Sequence, residues 1–168
     1  TAVVANFACE RAHRNVAWQW FQGPGKGGAV LALLPLPGNH VSMVWSTRTA
    51  DAARLLALGG EALAREVAAA ARHAVGDLSL VTAARGFPLR RLAAERLVAP
   101  RVALAGDAAH VIHPLTGQGA NLGLQDARAL ADVLTARAPG RDPGGLGLLR
   151  RYERSRAEAI LAMRATVH

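Results

Sequence analysis

The chain has a single cysteine in 168 residues, so no internal disulfide can staple it. Cys9 sits in an apolar run and reads as a packed core thiol, which fits a reducing, cytoplasmic setting. Aromatic residues make up only 4% of the chain and do not interleave with the basic ones. That removes the stacking platform of a nucleic-acid groove, so nucleic acid is not an expected partner. Lysine is all but missing: Lys26 is the one lysine among 20 basic residues. No apolar run approaches the roughly 20 residues of a membrane-spanning helix, and the first residues carry no secretory-signal pattern. Thr1 enters strand-like sequence directly, without a methionine, and the expectation is a piece of a longer protein.

Several catalytic signatures are missing as well. Gly23-Pro24-Gly25-Lys26-Gly27-Gly28 has the look of a phosphate loop, but Lys26 is followed by Gly27 rather than Ser or Thr, and no helical pattern follows. No Gly-x-Ser-x-Gly occurs, so a serine hydrolase has no nucleophile to stand on. Gly117-x-Gly119-x-x-x-Gly123 is not a dinucleotide fingerprint. Its third glycine comes one residue late, and the strand before it ends about eleven residues too early.

What is present is a chain that can bury a good core, with 51% hydrophobic residues. Its 20 basic residues outnumber 12 acidic ones, for a formal charge of +8. The arginines are scattered, as on a solvated surface. Attraction to an anionic membrane is the second reading, with a peripheral place on the inner membrane face.

The first part reads as a sheet with helices against it. Strands are expected over Ala2–Cys9, Val16–Gln22, Ala29–Leu34 and Val41–Thr47, with Pro37-Gly38-Asn39 as a turn. Val41, Met43 and Trp45 share one face, as do Val16, Trp18 and Trp20. A helix capped by Thr49 or Asp51 is broken at Gly59-Gly60 and resumes over Glu61–Ala74. Leu78–Ala84 is expected as one further strand, and Phe87-Pro88-Leu89 starts an extended segment. Arg91–Val98 has no clear pattern.

The most informative stretch runs from Val102 to Gly123. Val102–Ala105 reads as a short buried strand ended by Gly106-Asp107. A loop stiffened by Pro114 and loosened by Gly117 and Gly119 follows. From about Gly119 a helix begins, with Gly123, Ala127, Leu130, Ala131 and Leu134 at helical steps. Glycines at its start let backbone N–H groups approach a ligand, and the helix dipole favours negative charge there. A final helix covers Leu146–Val167, with Leu149, Arg156, Ile160, Met163 and Val167 on one face.

Gly106-Asp107-Ala108-Ala109-His110, Pro114 and Gly117-Gln118-Gly119-Ala120-Asn121 together resemble the second flavin fingerprint of class A flavoprotein monooxygenases, the para-hydroxybenzoate hydroxylase type. Within that class, His113-Pro114-Leu115-Thr116-Gly117, Leu33-Leu34-Pro35-Leu36-Pro37, Val44-Trp45-Ser46 and Arg150-Arg151-Tyr152-Glu153-Arg154-Ser155-Arg156 resemble the ubiquinone-biosynthesis hydroxylases. The resemblance covers nearly the whole chain but only the later part of such an enzyme. The Rossmann half, with its Gly-x-Gly-x-x-Gly, would lie upstream.

The resemblance implies an α/β (α+β) fold. It consists of an antiparallel or mixed substrate-domain sheet with packed helices, plus the C-terminal strand–loop–helix part of an FAD-binding domain. In that scheme residues 1–100 form the substrate-side domain, 101–138 the returning FAD segment, and 139–168 a C-terminal helix. The implied activity is FAD- and NAD(P)H-dependent hydroxylation of an aromatic ring by way of a flavin C4a-hydroperoxide. The implied substrate is a lipophilic polyprenyl phenol or quinol. Gly106, Asp107, Pro114, Gly117, Gly119, Ala120 and Asn121 would hold the cofactor, with Asp107 on a ribityl hydroxyl. Pro114, Gly119 and Ala120 would act at the reacting ring, the amides of the last two stabilising negative charge on it. Trp20, Phe87 and His113 are the candidates for substrate contact. Alone, the chain is expected to bind FAD weakly, since most contacts to the ADP half would be missing.

Two other readings stand beside this one. The chain could be a non-catalytic interaction or homodimerisation module, its fingerprint helix purely structural. Asp107-x-x-His110-x-x-His113 also offers the ligand set of a non-haem metal oxygenase, although it sits in a loop with no further ligand marked. In the flavin reading His110 is structural, bonding loop backbone, and no metal is expected.

Overall fold

The computed structural model describes residues 1–23, 28–90, 92–111 and 119–166, without the side chains of 159, 160 and 162–166. The chain divides into two compact units, Thr1–Leu89 and Arg90–His168. The described residues form a mixed α/β structure with antiparallel sheets and four helices.

The first unit is built on four antiparallel strands in the order β2-β3-β4-β1: β1 (Ala2–Cys9), β2 (Trp18–Phe21), β3 (Val30–Leu36) and β4 (His40–Ser46). Alternation of side chains sets which face is buried. The register aligns Trp20, Leu31, Trp45 and Val3 in one row across the sheet, and Trp18, Leu33, Met43 and Ala5 in the next. These two rows, with Phe7 and Val41, form the core with two helices, α1 (Thr49–Leu56) and α2 (Gly60–Ala70). Ala52 and Leu55 of α1, and Leu63, Ala64, Val67 and Ala68 of α2, are the buried helical positions.

Local chemistry explains the boundaries. The two helices are separate, as Gly59-Gly60 suggested. No side chain caps α1; Arg48 holds the N-cap place and pairs with Asp51 at 2.8 Å in the first turn. Helix α2 stops at Ala70 rather than Ala74, because Arg72 and His73 take left-handed backbone angles (φ 51° for both) that no α-helix accommodates.

The expected strand over Leu78–Ala84 is instead two short ones, β5 (Leu78–Leu80) and β6 (Arg85–Phe87), both paired with β1. Phe7 faces Leu80 and Val4 faces Arg85, so Ala5 and Asn6 stand opposite the four residues 81–84. This is a bulge. The N–H groups of Val81 and Thr82 both reach the Asn6 carbonyl, and the Thr82 hydroxyl accepts the Asn6 N–H at 2.9 Å. Gly86 fits here because a Cβ would lie 2.8 Å from Leu56 of α1.

The second unit has little regular sheet. Leu92–Ala93 (β7) pairs with His110–Val111 (β10), and Val98–Ala99 (β8) pairs with Val102–Ala103 (β9). This resolves the segment that showed no pattern in sequence and ties residues 92–99 to the fingerprint. The expected buried strand over Val102–Ala105 is only a two-residue arm, with Val102 half exposed. Its one ladder partner among the described residues is β8, and a strand paired on one side remains open on the other. Two helices, α3 (Gly119–Thr135) and α4 (Leu146–Thr166), close this unit. Its core is Leu97, Val98, Ala109, Leu149 and Tyr152, flanked by Ala129, Leu130 and Val133 of α3.

Candidate functional site

The polypeptide after β9 turns sharply at Gly106, whose φ of 59° favours a residue without a side chain. Gly106–Ala108 form one 3-10 turn, and that turn packs on α3. The approach is backbone to backbone: a Cβ on Gly123 would lie 3.2 Å from the Gly106 Cα. A glycine on each side of this contact lets the turn settle onto the first turns of α3. Asp107 lies on the turn, exposed, and no partner engages its carboxylate among the described residues.

Helix α3 opens at Gly119, where an added Cβ would meet nothing within 4 Å. The first turn carries no acidic side chain. Ala120 and Asn121 are exposed. The helix therefore presents N–H groups that have no partner within the helix, and the positive end of its dipole, beside the turn that carries Asp107. Carboxylate acceptor and amide donors suit a ligand that offers hydroxyls and a developing negative charge.

Beneath this surface lies a group of charges. Asp126, one turn beyond Gly123, is fully buried. Its Oδ2 accepts the Gly106 N–H at 2.9 Å and Nε2–H of His110 at 2.6 Å. Its Oδ1 accepts Nε–H of Arg156 at 2.6 Å. Burial alone would raise the Asp126 carboxyl; the Gly106 N–H, Arg156 and His110 outweigh it and hold the group below its ordinary value. Nδ1 of His110 is buried without a partner among the described residues. One turn before Arg156, the Tyr152 hydroxyl donates to the Leu104 carbonyl at 2.7 Å. Burial, then the Asp126 charge, pushes that phenol up to about 12.

Of the residues singled out from sequence, Gly106, Asp107, Gly119, Ala120 and Asn121 belong to this one region. Pro114, Gly117 and His113 lie outside the described residues. Trp20 packs half-buried against the helix-covered core, whereas Phe87 is half exposed on the other face of the sheet, so the sheet separates the two. His110 bonds the Asp126 side chain through Nε2, where sequence suggested loop backbone. Among the described residues, no three His, Cys, Asp or Glu side chains converge on one point.

Asp126 was not singled out from sequence. The apolar stripe chosen for α3 included Ala127 and Ala131, which are exposed; the inward positions are Leu122, Asp126, Leu130 and Val133. A signal was available: unlike charges, Asp126 and Arg156, interrupt the apolar faces of two successive helices.

Comparison with known proteins places this arrangement in a family. The chain belongs to the FAD binding domain family, whose profile matches residues 1–166. It is 39% identical to ubiquinone hydroxylase UbiL of Rhodospirillum rubrum over 166 residues, which cover 98% of this chain and 38% of that protein. It is 40% identical over 159 residues to 3-demethoxyubiquinol 3-hydroxylase of Escherichia coli, covering 93% of this chain and 39% of that one. The chain thus spans about two fifths of the length of these curated relatives. Among solved structures, P. aeruginosa PqsL in complex with 2-aminobenzoylacetate superposes with a TM-score of 0.70 at 27% identity, over 99% of this chain and 45% of PqsL.

Proposed function

We propose that this chain is the later part of an FAD- and NAD(P)H-dependent monooxygenase that hydroxylates the aromatic ring of a polyprenyl phenol or quinol in ubiquinone biosynthesis. The carrying observation is the exposed Asp107 on a turn seated against α3, beside a helix start whose first turn holds no acid. The residues present fit a flavin on chemical grounds: a carboxylate for a polyol chain, N–H groups for a ring that gains negative charge, and glycines that leave room for both. Bound FAD would supply the redox chemistry that activates dioxygen.

The chain's own contributions follow. Asp107 accepts a ribityl hydroxyl. The N–H groups of Gly119, Ala120 and Asn121 stabilise negative charge on the flavin ring without adding an acid that would donate a proton. Pro114 and Gly117 line the reacting side, and Gly106 admits the cofactor close to the backbone. For the substrate, Phe87 stands on the exposed sheet face together with Phe21, which supports that face over the helix-covered one that holds Trp20. His113 remains a candidate contact from the fingerprint loop. Residues 1–100 would then form the substrate side, 101–138 the returning FAD segment and 139–168 a terminal helix.

The test is the protein expressed from its complete reading frame. It should be yellow after desalting and oxidise NAD(P)H faster when a polyprenyl phenol is added. Asp107→Ala should weaken flavin affinity about tenfold or more, the scale of one charge-assisted hydrogen bond. A colourless protein, or an unchanged flavin affinity in the variant, would sink the reading. The +8 charge supports a peripheral membrane contact. Among the described residues no helix is long and apolar enough to cross a membrane. Co-sedimentation with vesicles that does not rise with anionic lipid would rule that contact out.

A further inference from the structure

We infer that Asp126 is a positioning residue: it sets the place of the Gly106–Asp107 turn on α3 and is itself oriented by Arg156 of α4. What the turn faces rests on the flavin reading above; how it is held does not.

A carboxylate has two oxygens and accepts in specific directions. One Asp126 oxygen takes Gly106 and His110, which flank Asp107 and Ala108–Ala109 on the fingerprint segment. The other takes Arg156. The Arg156 guanidinium thus fixes the carboxylate's rotation, and the rotation fixes where the Gly106 N–H must lie. Arg156 also reaches Oε1 of Gln125 at 3.4 Å, which limits its own freedom.

The Gly106–Gly123 contact supplies the second constraint. It sets the depth of the turn, and the Asp126 bond sets its position along the helix. A third comes from Tyr152, which holds the Leu104 carbonyl just before the turn. Asp107 itself makes no bond among the described residues, so its carboxylate is aimed by its neighbours. Helix α4, which carries Arg156 and Tyr152, thereby acquires a role in a site that it does not line.

Two substitutions separate positioning from simple stability. In Asp126→Asn one side of the amide must turn a donor toward another donor, either Arg156 or the Gly106–His110 pair. Either way the orientation is lost. Adding Arg156→Leu removes that conflict, and the Asn carbonyl can again accept the Gly106 N–H. A merely structural role would make the double variant worse than the single one.

The measurement is amide hydrogen exchange at Gly106 in the ¹⁵N-labelled chain, with core amides of α3 reporting general opening. Asp126→Asn should speed Gly106 exchange about tenfold or more beyond that general change. Asp126→Asn with Arg156→Leu should return it to within about threefold of the starting protein. Gly106 exchange that merely follows the core amides in both variants would overturn the inference, as would a double variant looser than the single one. The visible bands of FAD bound to the complete protein form a separate arm. If Gly106 loosens and is rescued while the flavin bands stay constant, the positioning role stands and the flavin reading fails.

Discussion

The two units bury different things. In the first, strands and helices enclose a continuous apolar layer that runs from Phe7 and Val3 to Leu31, Leu33 and Met43, all inaccessible to solvent. Its ion pairs among the described residues, Arg48–Asp51 and Arg54–Glu66 included, stay at the surface. In the second, five apolar residues form the buried cluster, and beside them Asp126, His110 and Arg156 are buried together. An apolar layer tolerates a lost methylene by partial collapse. A buried carboxylate tolerates the loss of its partners far less, since a charge without compensation cannot relax by repacking. The first unit is held by volume and the second depends on direction, which suits a segment that must present a backbone turn accurately.

This difference also decides what the sequence disclosed. Period-two alternation and turn residues located β1 to β4, and Gly59-Gly60 located the break between α1 and α2, because side-chain volume there follows local pattern. The bulge at residues 81–84 was not legible: it depends on where Asn6 can offer its carbonyl, a partner some 75 residues away in sequence. The fingerprint put Asp107 and the start of α3 in one region, since glycine at 106 and 123 is a backbone demand that shows in sequence. Asp126 stayed hidden because an acid on a helix ordinarily marks the solvent face. Only the fold places Arg156 opposite it, thirty positions further on.

The chain offers separate optical reporters for the comparison: its three tryptophans lie in the first unit and its one tyrosine, Tyr152, in the second. The largest effects should come from one substitution in each. Phe7→Ala should cost about 3–5 kcal/mol by removing a fully buried ring. Asp126→Ala should cost a similar 3–5 kcal/mol by stranding Arg156 and His110. In denaturant, the first should shift mainly the tryptophan fluorescence transition and the second mainly the tyrosine near-ultraviolet signal. If each variant moves both transitions equally, the two units melt as one and the comparison breaks. Arg156→Leu should cost less than Asp126→Ala, because the Gly106 N–H and His110 Nε2–H still hydrogen-bond the carboxylate.

Acid sharpens the contrast at intermediate size. The folded-state pKa of Asp126 lies below its ordinary value. Its stabilisation is therefore complete above the unfolded value, about 3.9, and disappears as pH falls through the lower folded value. Glu66 is also held low, first by its hydrogen bond to Arg54, but that pair is exposed and solvent screens it. The tyrosine-reported transition should therefore weaken more steeply than the tryptophan-reported one below about pH 4. In Asp126→Ala that extra acid dependence should vanish. Equal acid slopes in the parent and the variant would remove Asp126 as its source.

The smallest expected change in stability lies nineteen positions before Asp126, at the other aspartate of the site. Asp107 is exposed and makes no hydrogen bond or ion pair among the described residues. Removing its carboxylate should strand nothing, so Asp107→Ala should shift unfolding by no more than about 0.5 kcal/mol. The two aspartates then make a matched pair: loss at 126 is read in folding, and loss at 107 is read in flavin affinity of the complete protein. If Asp107→Ala destabilises the second unit as much as Asp126→Ala does, its carboxylate serves the fold, and the case for a ligand at the mouth of α3 loses its main support.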